Sequence, residues 1–238
     1  MATPTLAVSE VFGPTVQGEG PYTGRVCGFI RLGACNLTCT WCDTPYTWDA
    51  NRFNLREEIT RIPVDQLVAE VEAMAVPLVV LSGGEPLLQQ RHEPFVSLLR
   101  DLDKRRITTH VETNGTLTPS DASRALIDHF TVSPKLGNSG VPLLKRIRPD
   151  AMTAYTTLAN NGRAIFKFVA RSPHDLNEID ELAEMFQILP DTIWVMGEGT
   201  TSHTTLTHTR AIAPAVIDRR WNLTTRLHTL IWETKRGT

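Results

Sequence analysis

The chain has 238 residues, 41% hydrophobic and 21% charged, enough for one large domain or two small ones. Its 24 Lys and Arg against 26 Asp and Glu leave a formal charge of −2, which excludes a broad basic surface for nucleic acid. No stretch approaches the roughly 18 consecutive apolar residues of a spanning helix, and the opening MATPTLAVSEVFG has neither the basic flank nor the apolar run of an export signal. The expected setting is therefore cytoplasmic and reducing, with no membrane contact and no direct nucleic-acid contact. There, four cysteines point to metal or redox chemistry and not to a disulfide framework.

In chain order, VCGFIRL (26–32) predicts a strand. PVDQLVAEVEAMA (63–75) predicts a helix opened by Pro63, with Leu67, Val68 and Val71 on one face. PLVVLSGG holds a buried strand running into glycines, and a helix starting at Glu93-Pro94 ends near Lys104. RITTHVETNG reads as a strand closed by an Asn-Gly turn, SDASRALIDHF as a short capped helix and TVSPK as a short strand. PDAMTAYTTLANNG is a helix stopped by glycine, RAIFKFVA a strand, SPHDLNEIDELAEMFQIL a helix and TIWVMGEG a strand. Residues 202–220 predict a helix that Pro214 breaks or bends, and RLHTLIWE predicts the last strand.

This alternation argues for an α/β fold, a parallel sheet with crossover helices in one domain, 1–238. Substrate and cluster loops are expected in 10–60, and a final strand and tail in 222–238. Ligands on such folds bind at the carboxyl ends of strands. Polar motifs recur there: Gly83-Gly84-Glu85-Pro86, Glu112-Thr113-Asn114-Gly115, Ser133-Pro134-Lys135 and Glu198, with three cysteines soon after FIRL.

Those cysteines, in CNLTCTWCDT, are Cys35, Cys39 and Cys42. A structural zinc site normally takes four ligands, and Cys27 sits inside an apolar strand as a small core residue. Three thiolates suit a 4Fe-4S cluster with one iron free of protein, open to substrate or cofactor. A zinc site completed by a distant histidine and a redox pair remain the other readings.

CxxxCxxC with Trp41 before its last cysteine, joined to an intact GGEP, resembles the radical S-adenosylmethionine (SAM) enzymes. The resemblance implies that SAM chelates the free iron and is cleaved reductively to a 5′-deoxyadenosyl radical, which abstracts a substrate hydrogen. It implies a partial, open (β/α)6 barrel. The stretch VFGPTVQGEGPYTGRVCGFIRLGACNLTCTWCDT is further similar to the 7-carboxy-7-deazaguanine synthase family, through Gln17-Gly18-Glu19-Gly20, Arg31 and Cys42-Asp43-Thr44. That family acts on 6-carboxy-5,6,7,8-tetrahydropterin, regenerates SAM and needs Mg²⁺.

The resemblance carries residue roles with it. Cys35, Cys39 and Cys42 would ligate the cluster and Thr44 would hold Mg²⁺, although a helix N-cap is the plain reading of that threonine. Val16, Gln17, Gly18, Glu19, Arg31, Ser82 and His228 would meet the substrate. A carboxylate and an amide can read a pterin's amino and amide edge, and Arg31 offers a planar fork to its carboxylate. Trp41, Asp43, Gly83, Gly84, Glu85, Glu112, Ser133, Pro134, Lys135 and Met196 would meet SAM. A trimmed set of helices, a homodimer and an external electron donor of flavodoxin or ferredoxin type are implied too. Two departures stand out: Gly197 replaces an expected proline, and the chain continues past its last element through TKRGT, a tail expected to be disordered or to lie at a subunit boundary.

Overall fold

The computed structural model describes residues 4–238; the first three residues of the expected 1–238 domain lie outside them. Among the described residues, nine strands form one sheet in the order β3-β1-β2-β4-β5-β6-β7-β8-β9. They are β1 (Thr5–Val16), β2 (Val26–Leu32), β3 (Thr60–Pro63), β4 (Leu78–Gly83), β5 (Thr108–Thr113), β6 (His129–Val132), β7 (Ala164–Ala170), β8 (Ile193–Gly197) and β9 (Asn222–Thr224). From β2 to β9 every neighbouring pair is parallel, while β1 and β3 run antiparallel. The result is the parallel sheet with crossover helices expected from the alternation, in the open, partial barrel that the resemblance implies.

The crossovers are α1 (Leu55–Glu58) and α2 (Val64–Met74) before β4, α3 (Glu93–Lys104) before β5, and α4 (Asp121–Leu126) before β6. Then come α5 (Leu143–Arg146) and α6 (Pro149–Asn160) before β7, α7 (Asp175–Phe186) before β8, α8 (Ser202–Asp218) before β9, and α9 (Leu227–Trp232). Among the described residues, no helix is long and apolar enough to cross a membrane.

Strand alternation decides where core and site go. On the outer face, Ile30, Leu32, Val79, Leu81, Val111, Phe130, Phe166, Phe168 and Val195 bury against helix residues such as Leu67, Phe95, Leu98, Tyr155, Leu176 and Ile212. The alternate residues face inward. A small apolar floor of Cys27, Phe29, Leu78 and Val80 sits low in the lumen, with Phe12 packed against it. Cys27 is thus the core residue its strand suggested. Polar groups, Arg31, Ser82, Glu112 and Lys167, occupy inward positions nearer the carboxyl ends.

Three expectations change. RLHTLIWE is not the last strand: Asn222–Thr224 already pairs with Trp194–Met196, and the chain then leaves the sheet and forms α9. β-branched and aromatic content favours a strand only where a partner edge is free. Residues 10–16, expected among the loops of 10–60, belong to the twelve-residue β1. Of the break or bend expected at Pro214, the break does not occur: Pro214 lies inside one continuous α8, whose start is fixed by a reciprocal Thr201–Thr204 capping box.

His110 and His129 are register partners on β5 and β6, both buried, with ring centroids 5.2 Å apart and Tyr22 edge-on to both. Burial pushes His110 down to about 3 and His129 down to about 4. The unfolded chain takes up these protons near the ordinary value of 6.5, whereas the folded chain does not until far lower pH. Their contribution is therefore full above 6.5 and lost as pH falls toward 3. Denaturant titrations at pH 7 and pH 5 should give an acid-dependent loss that His129→Phe reduces by about 1 kcal/mol or more; an unchanged pH slope would contradict this.

Candidate active site

The carboxyl ends of the strands open onto one cavity. It is lined by Cys35, Cys39, Cys42, Trp41, Asp43, Thr44, Glu19, Arg31, Ser82, Gly83, Gly84, Glu112, Ser133, Lys135 and Met196, all singled out from sequence. Val16, Gln17, Gly18, Glu85, Pro134 and His228 are not on its wall.

The three cysteines come from the loop between β2 and the 3-10 turn Pro45–Thr47. They share a cavity, yet among the described residues no three His, Cys, Asp or Glu side chains converge on a single-ion site. N–H donors approach the sulfurs: Trp48 Nε1 to Cys42 at 3.3 Å and the Leu37 amide to Cys35 at 3.4 Å. Such donors tune iron–sulfur clusters. Burial pushes the Cys35 thiol up to about 12, so metal loading must displace its proton. Trp41 donates to the Asn138 carbonyl at 3.1 Å and lies 5.5 Å below the Lys135 ammonium, which donates to Ser133 Oγ at 2.9 Å.

The glycine pair has a reason other than room for a ligand. A Cβ on Gly83 would overlap the Leu32 backbone, and one on Gly84 the Ala34 carbonyl. The end of β4 thus lies directly on the chain entering the cysteine loop, sealed by Gly84 N to Leu32 O (3.1 Å) and Glu85 N to Ala34 O (2.8 Å). Glu85 is fully buried and accepts from the Leu87 amide, the Asn114 amide and Thr113 Oγ1 at 2.7–3.0 Å. Burial pushes it up to about 6 against those donors. It locks the ends of β4 and β5 together and turns away from the cavity.

Glu19 is the centre of a buried ionic cluster. Its Oε1 accepts from Arg226 Nε at 3.0 Å and its Oε2 from Lys167 Nζ; Arg226 also donates to Asp43 and, at 2.7 Å, to the Gly199 carbonyl. Burial would raise the Glu19 carboxyl, but Lys167 and Arg226 outweigh it and hold it well below the usual range. Asp43 is likewise lowered by Arg226 against burial. Behind Glu19, the Gln17 amide bridges Glu112 Oε1 and the Glu19 backbone N–H, both at 3.1 Å. A Cβ on Gly18 would collide with the His228 ring, so His228 backs this loop from α9.

Two hydroxyls face the cavity with little to do. Thr44 makes no capping hydrogen bond to the turn it precedes, and its Oγ1 lies 3.8 Å from Cys42 Sγ. Ser82 Oγ is buried with no partner among the described residues. Arg31 gives its Nε to Glu10 at 2.8 Å and stacks over Phe12, leaving the rest of its fork toward the cavity.

A sequence profile of the radical SAM superfamily matches residues 29–159, from β2 through α6. The chain is 33% identical to the 7-carboxy-7-deazaguanine synthase of Pyrobaculum aerophilum, covering 99% of both chains, and 35% identical to that of Hyperthermus butylicus, covering 95% of this chain and 92% of the relative. The chain belongs to the 7-carboxy-7-deazaguanine synthase family. A crystal structure of QueE from Escherichia coli superposes with a TM-score of 0.67 at 26% identity, covering 94% of this chain and 95% of that one. It is therefore a radical SAM enzyme, and that superfamily implies a 4Fe-4S cluster and SAM. The cysteine loop, with N–H donors directed at Cys35 and Cys42, fits such a guest set.

Within this synthase-family site, the sequence reading missed Lys167, Arg226 and Trp48. Lys167 carried a signal: a lone lysine inside AIFKFVA, where a buried cation needs a partner. Glu19→Gln alone should cost about 3–5 kcal/mol in denaturant titration, because two buried cations lose their shared anion. Adding Lys167→Met should recover most of it. No recovery would mean the two side chains are not energetically paired.

Proposed function

We propose that the protein converts 6-carboxy-5,6,7,8-tetrahydropterin to 7-carboxy-7-deazaguanine and ammonia by ring contraction. The observation that carries this reading is that one cavity is lined by the three thiols together with Glu19, Arg31, Ser82 and Thr44. The two products account for every atom of the substrate, so the conversion is redox-neutral overall, which suits SAM that is regenerated and not consumed. The family membership supports the same reaction, since the relatives bear the synthase name.

The chain's residues divide the work. Cys35, Cys39 and Cys42 would hold three irons, and the wall of Trp41, Asp43, Gly83, Gly84, Glu112, Ser133, Lys135 and Met196 would receive SAM. When bound, cluster and SAM supply hydrogen-atom abstraction from the substrate. Glu19, kept ionised by Lys167 and Arg226, accepts from the amino and amide edge of the pterin. Arg31 presents its remaining donors to the carboxylate, and the buried Ser82 hydroxyl gains the partner it lacks. Thr44 would offer a neutral oxygen to Mg²⁺, a hard ion that takes oxygen ligands. A homodimer, a flavodoxin- or ferredoxin-type donor and a cytoplasmic setting complete the proposal.

The test separates recognition from radical chemistry. Reconstituted Glu19→Gln/Lys167→Met, in which one carboxylate and one cation are removed together, should keep its iron and its reductive SAM cleavage. Its kcat/KM for the tetrahydropterin should fall at least about 100-fold, as expected when buried polar recognition is removed. Alanine at Cys35, Cys39 or Cys42 should abolish iron loading, and Cys27→Ala should not. Full pterin turnover by the double variant would remove Glu19 from substrate recognition, and iron loss with Cys27→Ala alone would reassign the ligands.

A further inference from the structure

The residues after α9 do not trail into solvent. Glu233, with φ of 54°, accepts from the Ser202 amide at 2.9 Å and Ser202 Oγ at 2.5 Å at the start of α8. From that anchor the chain runs on to β1 and the turn that follows the cysteine loop. Arg236 then reaches Glu10 Oε1 at 2.9 Å and Glu58 Oε2 at 3.0 Å, and its guanidinium lies 3.7 Å from the centroid of the Tyr46 ring. The other oxygen of Glu10, Oε2, accepts from Arg31 Nε at 2.8 Å and from the Tyr46 hydroxyl at 2.9 Å.

We propose that Arg236 is a positioning residue for the corner of the cavity formed by Arg31 and Thr44. The proposal rests on the reading of that corner given under the proposed function. Glu10 is shared between two guanidinium groups, one from the tail and one on the cavity wall. With Arg236 in place, Glu10 is held from behind and takes only the Nε of Arg31, leaving its terminal nitrogens for an anionic substrate group. With Arg236 removed, Glu10 is drawn wholly toward Arg31 and competes with the substrate for the same donors. Tyr46 carries the second link. It sits in the turn Pro45–Thr47 that follows Thr44, and the stacked cation and Glu10 pin its ring and its hydroxyl. The tail therefore braces both the carboxylate-reading arginine and the metal-binding threonine without touching either.

Arg236 is partly exposed, with 46% of its side chain accessible, so its effect is modest and salt-sensitive. In reconstituted holoenzyme with SAM, Arg236→Ala should raise KM for the tetrahydropterin about three- to tenfold, the range for losing two part-exposed ion pairs and a stacked cation. Equilibrium binding of fluorescent 6-carboxypterin should weaken by the same factor, and the Mg²⁺ concentration for half-activity should rise. Iron content, kcat and pterin-free SAM cleavage should stay within twofold. Arg236→Lys should rescue in part, restoring charge but not the planar fork. KM of the unaltered protein should rise with ionic strength more steeply than that of Arg236→Ala.

Arg31→Gln is the control. If it raises KM and Arg236→Ala does not, the proposal fails while the reading of the corner stands. If neither raises KM, the reading of the corner fails. If Arg236→Ala lowers iron content and kcat together with binding, the tail is merely structural and the positioning role is wrong.

Discussion

The ion pairs of Arg226 with Glu19 and with Asp43 join three parts of the chain that are otherwise far apart. Glu19 belongs to the loop after β1, Asp43 directly follows the last cysteine, and Arg226 lies between β9 and α9. Removing these charges from water is costly, and mutual pairing is what makes it tolerable. Lys167, rising from the middle of β7, completes the balance on Glu19. The Glu19 loop and the cysteine loop are thus held to one frame by a buried guanidinium.

That frame is possible because each strand separates its two faces so completely. The outer face is apolar and supports the helices; the inner face grades from Cys27, Phe29, Leu78 and Val80 up to Arg31, Ser82, Glu112 and Lys167. An apolar floor below a polar mouth keeps water out of the lower lumen and concentrates charge where ligands enter. The steric seal between Gly83-Gly84 and Leu32–Ala34 then fixes the height of the cysteine loop above the sheet. Pre-organisation of this kind suits reactive intermediates, which must meet their target before they meet solvent.

Much of this was legible in the sequence because it is local. The cysteine spacing, the Gly-Gly pair after a buried strand and the polar residues at successive strand ends all lie within short windows, and all fall on one cavity. What escaped was tertiary. Glu19 and Arg226 are 207 residues apart, and nothing in either neighbourhood names the other. RLHTLIWE has strand-forming composition, yet the sheet edge it would have joined was taken by Asn222–Thr224. Glu85 was read as a ligand contact because it stands in a ligand motif; its carboxylate instead closes the turn that presents the motif. The tail was expected to be disordered or intersubunit, and a single arginine with two carboxylates and a tyrosine ring in reach gives it a place.

One measurement tests the central claim, that these thiols and these polar groups serve a single reaction. Anaerobically reconstituted protein would be assayed for iron and sulfide, then given dithionite, SAM, Mg²⁺ and 6-carboxytetrahydropterin, with products read by mass spectrometry. The account predicts about four irons per chain and a product lighter than the substrate by one ammonia, with SAM undiminished. Iron-loaded protein that cleaves SAM but leaves the pterin intact would contradict it.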